Sequence, residues 1–554
     1  MNYFKVCFAS LLLAATTSTA FAGGILTNTN QSIDFLRNPA RDAAIGLDGV
    51  YSNPAGVAFM PEGFHLGLNW QYAHQTRTVT ATNDLFKLGA KNNGQSTKTF
   101  EGVADAPVIP SVQAAYNTGN WSFQFNFSIP GGGGKCEFDK GVGSFETAVG
   151  AIAQYLGGTS QKLNAGLQGV SDAVPTFNTR VPAVTGYDVD GYMRGRQYYF
   201  GVQLGAARKI NENLSVYGGL RLLYGSARYE ARLNNIRVMN GTNPSTLTTY
   251  FEQTVGNLLN AKPTIQAVLG QVQNGIDQYV AGYKAAGMTE EQARSQKAVV
   301  ELQEKADGLN SLLAAPDQLT AAGEVLSPYA KNGMNLKSDQ TGWGIAPVIG
   351  VDYKLGDFNF AAKYEFKTRM RMKNNSDLES AMIPATAKYV DGTSVPEDAP
   401  ALLTLGAEWS VLDNVRLDLG YHHFFDKQAH WYENSQKLLD GGTDEYLGGV
   451  EWDVLPRLTV SAGGQLTRYD LTDAYMNDMS FVVNSYSFGF GLNYKLSNVV
   501  SLKAAYFQTN YEDYDMDTPA QNMEINKIVL GIPAGHNTFT RTNRVLGLGC
   551  EITL

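Results

Sequence analysis

Between positions 418 and 430 the chain gathers Asp418, His422, His423, Asp426 and His430. Imidazoles and carboxylates this close could hold a divalent metal. His422 and His423 are neighbours in a stretch that alternates like a strand, however, and so leave opposite faces. A solvated rim or interface is the expectation; no metal site and no cofactor is assigned. No Gly-x-Ser-x-Gly elbow occurs, and no serine pairs with a histidine on one strand face. No catalytic residue is therefore assigned, and the chain is read as not an enzyme. An acyl hydrolase built on a barrel would need that pairing and stands as the enzymatic alternative.

A second group is cationic. Lys363, Glu365, Lys367 and Arg369 alternate with Phe360, Ala362, Tyr364 and Phe366. One face is charged and the other apolar. If the charged face lines a lumen, Lys363, Lys367 and Arg369 could hold a carboxylate headgroup through charge-assisted hydrogen bonds. Arg221 and Arg416 point inward by the same alternation. The alternative is a salt-bridge ladder that neutralises itself.

The elements that position these groups are period-2 segments. They are Phe64–Thr80, Pro110–Asn117, Trp121–Pro130, Tyr198–Lys209, Leu214–Arg232, Trp343–Tyr353, Phe358–Met372, Leu402–Val411, Val415–Phe425, Tyr446–Val454, Leu458–Tyr469, Asn484–Tyr494, Val499–Asn510 and Arg544–Leu554. Short turns alternate with long connections. That is the rule of a transmembrane barrel, with tight turns on one rim and long loops on the other. The fold class is all-β: a 14-stranded antiparallel transmembrane β-barrel. The longest connections fall at about 131–191 and 233–340. Their interiors, Phe145–Leu167 and Leu247–Ala314, read as helical, and Thr289 before Gln292 reads as an N-cap.

Met1–Ala22 has a lysine, a short apolar run and Ala20-x-Ala22, the pattern of a secretory signal peptide. Gly23–Gly63 follows, irregular, with Asn38-Pro39 and Asn53-Pro54 as breakers and a short helix expected near Ala40–Leu47. Residues 64–554 form the barrel. The chain has 58 Gly, 29 Tyr and 26 Phe, which suits many turns and aromatic girdles. With 43 basic against 52 acidic residues, nucleic acid is not an expected partner. Cys136 and Cys550 remain after cleavage and are expected unpaired.

This arrangement resembles the FadL-type outer-membrane transporters of long-chain fatty acids and other hydrophobic compounds. The likeness rests on the signal peptide, the irregular N-terminal segment, the fourteen strands and, most specifically, Ala43–Gly56 with its Asn53-Pro54-Ala55. By itself that tripeptide is an ordinary turn. The resemblance implies that residues 23–63 are a hatch inside the barrel and that Asn53, Pro54 and Ala55 take part in gating. It also implies a kinked third strand, and here that strand runs into Pro130 and four glycines, a sequence equally able to start a flexible loop. Loops after strands five and seven would form a capture groove. The expected function is passive, hatch-gated uptake of a hydrophobic small molecule. The expected location is the outer membrane of a Gram-negative bacterium, with outer-membrane lipid and the barrel-assembly machinery as further partners. A structural or adhesive barrel binding through its loops is the third reading.

Overall fold

The computed structural model describes residues 25–378, 384–525 and 527–554. The expected signal peptide lies outside them, as do Gly23 and Gly24. Fourteen strands make the wall: β1 (Gly63–Asn83), β2 (Thr97–Thr118), β3 (Trp121–Phe138), β4 (Gly186–Lys209), β5 (Leu214–Asn240), β6 (Met334–Leu355), β7 (Phe358–Glu365), β8 (Leu402–Leu412), β9 (Val415–Phe424), β10 (Thr443–Leu455), β11 (Leu458–Tyr469), β12 (Ser485–Lys495), β13 (Val500–Tyr511) and β14 (Gly535–Thr553). Each pairs antiparallel with the next. The sheet closes where β1 pairs with β14, Leu66 opposite Ile552. Closure leaves no edge, so every strand finds partners on both sides.

Alternation sorts the side chains. Ser122, Gln124, Asn126 and Ser128 are buried toward the lumen, while Trp121 and Phe123 are exposed outward. Leu204, Leu419 and Leu548 are each more than half exposed on the outer face. An apolar belt of this extent is what a bilayer covers. Among the described residues no helix is long and apolar enough to cross a membrane.

The strands run well past the segments read from the sequence, because β1 to β6 continue upward on the long-loop side. There they support α2 (Gly143–Ala173), α3 (Leu247–Ala285), α4 (Glu290–Arg294) and α5 (Lys297–Asn332). Thr289 caps α4 in a reciprocal capping box with Gln292. These helices share one apolar core with the tops of β4 and β5, including Leu156, Ile265, Leu312 and Val238.

Two expectations are corrected. The short helix is α1 (Ile33–Arg37), not Ala40–Leu47; Ser32 caps it, accepting from the Phe35 N–H at 3.0 Å. Strand seven ends at Glu365 rather than Met372, and a separate short strand, Arg371–Ser376, follows. Cys136 and Cys550, the two cysteines among the described residues, are free.

The helices of the cap join the wall through the shared core at the strand tops, so loosening that core from the helix side should melt the cap before the wall below it. Ile265→Ala empties a fully buried site in α3. Such truncations cost about 2–5 kcal/mol. Thermal circular dichroism should show the helical signal lost earlier and the strand signal unchanged.

Candidate functional site: the hatch and the gap it closes

Residues 25–62 run inside the barrel and are almost wholly buried. The first contact with the wall is ionic. Arg37 lies 2.8 Å from Asp34 and 2.7 Å from Glu451 of β10. Arg41 pairs with Asp48 at 2.8 Å and with the same Glu451 at 3.0 Å. Asp34 also takes Lys503 of β13 at 2.6 Å, and Lys503 takes Glu551 of β14 at 2.6 Å. His422 stands between Asp42 of the hatch, 2.9 Å away, and Glu445, 2.7 Å away. Breaking one partner of such a buried set strands a charge, at about 3–5 kcal/mol.

The Asn53 turn is the second anchor. The Asn53 side chain accepts from the Gly56 N–H at 3.1 Å and donates to Asp352 of β6 at 2.6 Å. Asn359 donates to the same carboxylate at 2.9 Å. The Pro54 carbonyl accepts from Gln124 at 2.7 Å, and the Ala55 carbonyl from Ser215 at 2.7 Å. A Cβ on Gly56 would sit 2.9 Å from the Asp352 oxygen and closer still to the Asn53 amide. Glycine there is what lets Asn53 reach the wall.

The third contact closes a gap. Pairing between β2 and β3 stops above Val112–Phe127 and is met again only at Val103–Glu137. Here β3 is kinked, with Gly132 and Gly134 at positive φ, a backbone glycine adopts without strain. The hatch fills the space. Thr27 forms a bridge with Gly131. The Asn28 N–H donates to Pro130 at 2.9 Å, and the Gly132 N–H donates to Leu26 at 3.3 Å. Gln31 spans the two strands: its amide donates to Ile129 of β3 at 3.2 Å, and its carbonyl accepts from Ser111 of β2 at 2.6 Å. The Tyr51 hydroxyl donates to the Asn28 carbonyl at 3.0 Å, tying this segment to the Asn53 turn. Above, Ile25 and Leu26 pack with Tyr199, Tyr229, Met370, Met372 and Trp431.

The expected cationic group does not stay together. Lys363 faces the lumen, pairs with Glu365 at 2.8 Å and donates to the Tyr51 carbonyl at 2.7 Å. Arg221 also pairs with Glu365. Both cations lie over the Tyr51 ring, at 4.6 and 4.9 Å. Arg416 pairs with Asp453 at 2.8 Å. Lys367 and Arg369 do not line the lumen: the strand breaks after Glu365 and its faces exchange, leaving Lys367 half-buried and Arg369 exposed on the outside. The histidines separate as the alternation implies, with His422 inward and His423 on Asp444 at 2.8 Å. Among the described residues no three such groups are placed to hold a metal. Sequence reasoning missed Gln31, Gln124, Ser215 and Asp352, single polar residues whose partners are far away in the chain. Gly56 was visible as the close of the Asn-Pro-Ala-Gly turn.

No protein-family profile and no curated protein matches this chain. Solved structures do. A Pseudomonas aeruginosa FadL homologue superposes over 95% of this chain and 98% of its own, with a TM-score of 0.51 and 13% identity. The fold is the FadL-type barrel. The P. putida toluene transporter TodX (TM-score 0.44, 12% identity, 92% of this chain and 94% of that one) and the Ralstonia pickettii toluene transporter TbuX (0.44, 12%, 94% and 98%) were also matched. In this FadL-type barrel, hatch and kinked wall meet along Leu26–Gln31.

Two outcomes follow from this geometry. Gly56→Ala displaces Asn53 from Asp352, a charge-assisted bond worth about 1.5–3 kcal/mol. Amide exchange across residues 49–58 should quicken by about tenfold or more while the β-strands keep their protection. The second concerns Asp426, just past β9, which accepts from Thr443 at 2.6 Å and from the Ile25 N–H. Burial pushes its carboxyl up to about 7. The folded loop thus holds the proton more tightly than the unfolded chain does. Its stabilisation is complete below the ordinary value of 3.8 and lost as pH rises through about 7. Resistance of the loop to protease should fall between pH 5 and pH 8, and Asp426→Asn should flatten that profile.

Proposed function

We propose that this protein takes up hydrophobic compounds across the outer membrane, long-chain fatty acids first among them, by passive binding and hatch-gated diffusion. The observation that carries the reading is Gln31, bonded to both lips of the gap between β2 and β3. A wall that breaks is a leak unless something fills it. A filler held by a few neutral hydrogen bonds can be displaced at modest cost, since each contributes about 0.5–1.5 kcal/mol.

The solute enters from the loop side and partitions into the cluster around Tyr199, Met370 and Trp431. Apolar burial supplies the affinity, at roughly 25 cal/mol per Å². Ile25 and Leu26 occupy that cluster in the closed state and compete with it. Their displacement withdraws Leu26–Gln31 from β3 and opens the way sideways. Asn53, Pro54 and Ala55 act as the anchor of the gate, held by Asp352, Gln124 and Ser215. A carboxylate headgroup gains access to Lys363 and Arg221 only when Tyr51 shifts, because both are committed to Tyr51 and Glu365. Transport, with no bond made or broken in the solute, is the whole activity. The family resemblance favours fatty acids over aromatic hydrocarbons.

The test replaces Leu26–Gln31 by a Gly/Ser linker of equal length in proteoliposomes. Labelled palmitate uptake should lose its saturation, and a small polar dye should leak at least about tenfold faster. Products should contain only unaltered palmitate. Uptake and leakage both unchanged would sink the gating reading; hydrolysed products from an acyl ester would favour the enzyme.

A further inference from the structure

The wall breaks a second time, between β6 and β7, and this break opens outward. Pairing runs from Leu355–Phe358 up to Val348–Glu365 and resumes at Thr341–Lys373. Across the break, six residues of β6 (342–347) face seven on the other strand (366–372). One extra residue exchanges the faces of everything beyond it. Met370 and Met372 turn inward and are buried; Arg369, Arg371 and Lys373 turn outward and are exposed.

A cavity of about 900 Å³ lies at this break, lined by Lys367, Arg369, Arg371, Lys373, Tyr224 and Trp343. Its one lining carboxylate, Asp398, is already engaged: it accepts from the Met370 N–H at 3.1 Å and the His430 N–H at 3.2 Å, and lies 3.6 Å from Lys367. Lys367 otherwise donates to the Gln428 carbonyl at 3.0 Å, and Arg371 to the Ser394 carbonyl at 2.9 Å. Arg369 and Lys373 have no carboxylate within 4 Å among the described residues. Four cations thus face one carboxylate, in a chain whose net charge is −9.

The height of the cavity says what could neutralise it. On the outer face of β5, Leu220, Leu222 and Tyr224 are exposed and apolar, and the next outward positions are Ser226 and Arg228. On β6 the outward run Ile349, Ile345 and Trp343 gives way to Thr341 and Asp339. The cavity therefore sits where the apolar belt ends on the long-loop side, with an aromatic on each neighbouring strand. That is headgroup depth.

We propose that this cavity binds the phosphate groups of an anionic lipid of the outer leaflet, its acyl chains descending along Trp343 and Ile345. Guanidinium groups match phosphate oxygens two at a time. The site rests on the outer-membrane reading above but not on the transport reading. Its occupant is part of the surrounding membrane, and its entrance is on the lipid side of the wall.

The test uses the full chain in detergent micelles, with binding counted by native mass spectrometry. The probes are bisphosphorylated lipid A, the same lipid after phosphatase treatment, and free pyrophosphate. The wild type should bind the phosphorylated lipid at least about tenfold tighter than the dephosphorylated one. R369A/K373A should lose that preference, with weak binding of the dephosphorylated lipid retained. Both side chains point outward, so the variant should keep the heat-modifiable mobility of a folded barrel; Arg371→Ala alone should give a smaller loss in the same direction. Equal binding of the two lipids, or a variant that keeps the preference, overturns the site. Pyrophosphate binding as tightly as the lipid overturns the lipid assignment in favour of a free anion. Palmitate uptake by the same preparations is read separately, so uptake failing while the lipid preference holds would count against transport alone.

Discussion

Glu451 receives two guanidinium groups from the hatch, Arg37 and Arg41, and much of the interior is arranged around that meeting. A barrel of fourteen strands is too wide for wall side chains alone to fill. The inner face must be polar for alternation to hold, so whatever fills the lumen must also be polar and must match the wall group for group. Buried charges without partners cost several kcal/mol each. The hatch brings Asp34, Arg37, Arg41, Asp42 and Asp48. The wall answers with Glu451, Lys503 and His422. Each of these wall residues is a single lumen-facing position on its strand, and none would be tolerated if the hatch were absent and the lumen dry.

This complementarity divides the hatch in two. The part from Asp34 to Asp48 is bound through charges and cannot shift without separating several of them together. The part from Leu26 to Gln31 touches β3 and β2 through neutral backbone and amide groups. Water can replace such bonds at small net cost. If anything in the lumen is to move while the rest stays docked, the energetics favour the N-terminal stretch. Tyr51 joins the two parts, its hydroxyl on Asn28 and its ring beneath Arg221 and Lys363.

The barrel itself was legible in the sequence. Trp121, Phe123, Phe125 and Phe127 against Ser122, Gln124, Asn126 and Ser128 assign that strand's two faces without further help. The helical cap was legible too, from composition and from Thr289. Two kinds of information were not. The partners of Asn53 and Gln31 depend on which strand lies opposite after closure, and no local pattern encodes that. The other is register. Lys363, Glu365, Lys367 and Arg369 look like one face until a single extra residue is inserted after Glu365. Period-2 reasoning extrapolates through a bulge and puts every later residue on the wrong side.

The two breaks in the wall lose the same pairing but satisfy it differently. At β3 the freed backbone groups face the lumen and are taken up by the hatch, which has its own unpaired N–H and C=O groups to offer. The gap is closed from inside by a strand-like partner that is not part of the sheet. At β7 the freed segment keeps its other neighbour, with Thr368 bridged to Ala399 and Arg371 paired with Pro396. It needs no partner from the lumen, and its slip instead turns basic side chains outward. A gap with its hydrogen bonds satisfied from the hatch depends on the hatch to stay closed. A gap whose segment is tied to its own loop keeps those backbone pairings without the hatch. What distinguishes two breaks in a barrel wall is therefore less their position than the groups that satisfy their backbone.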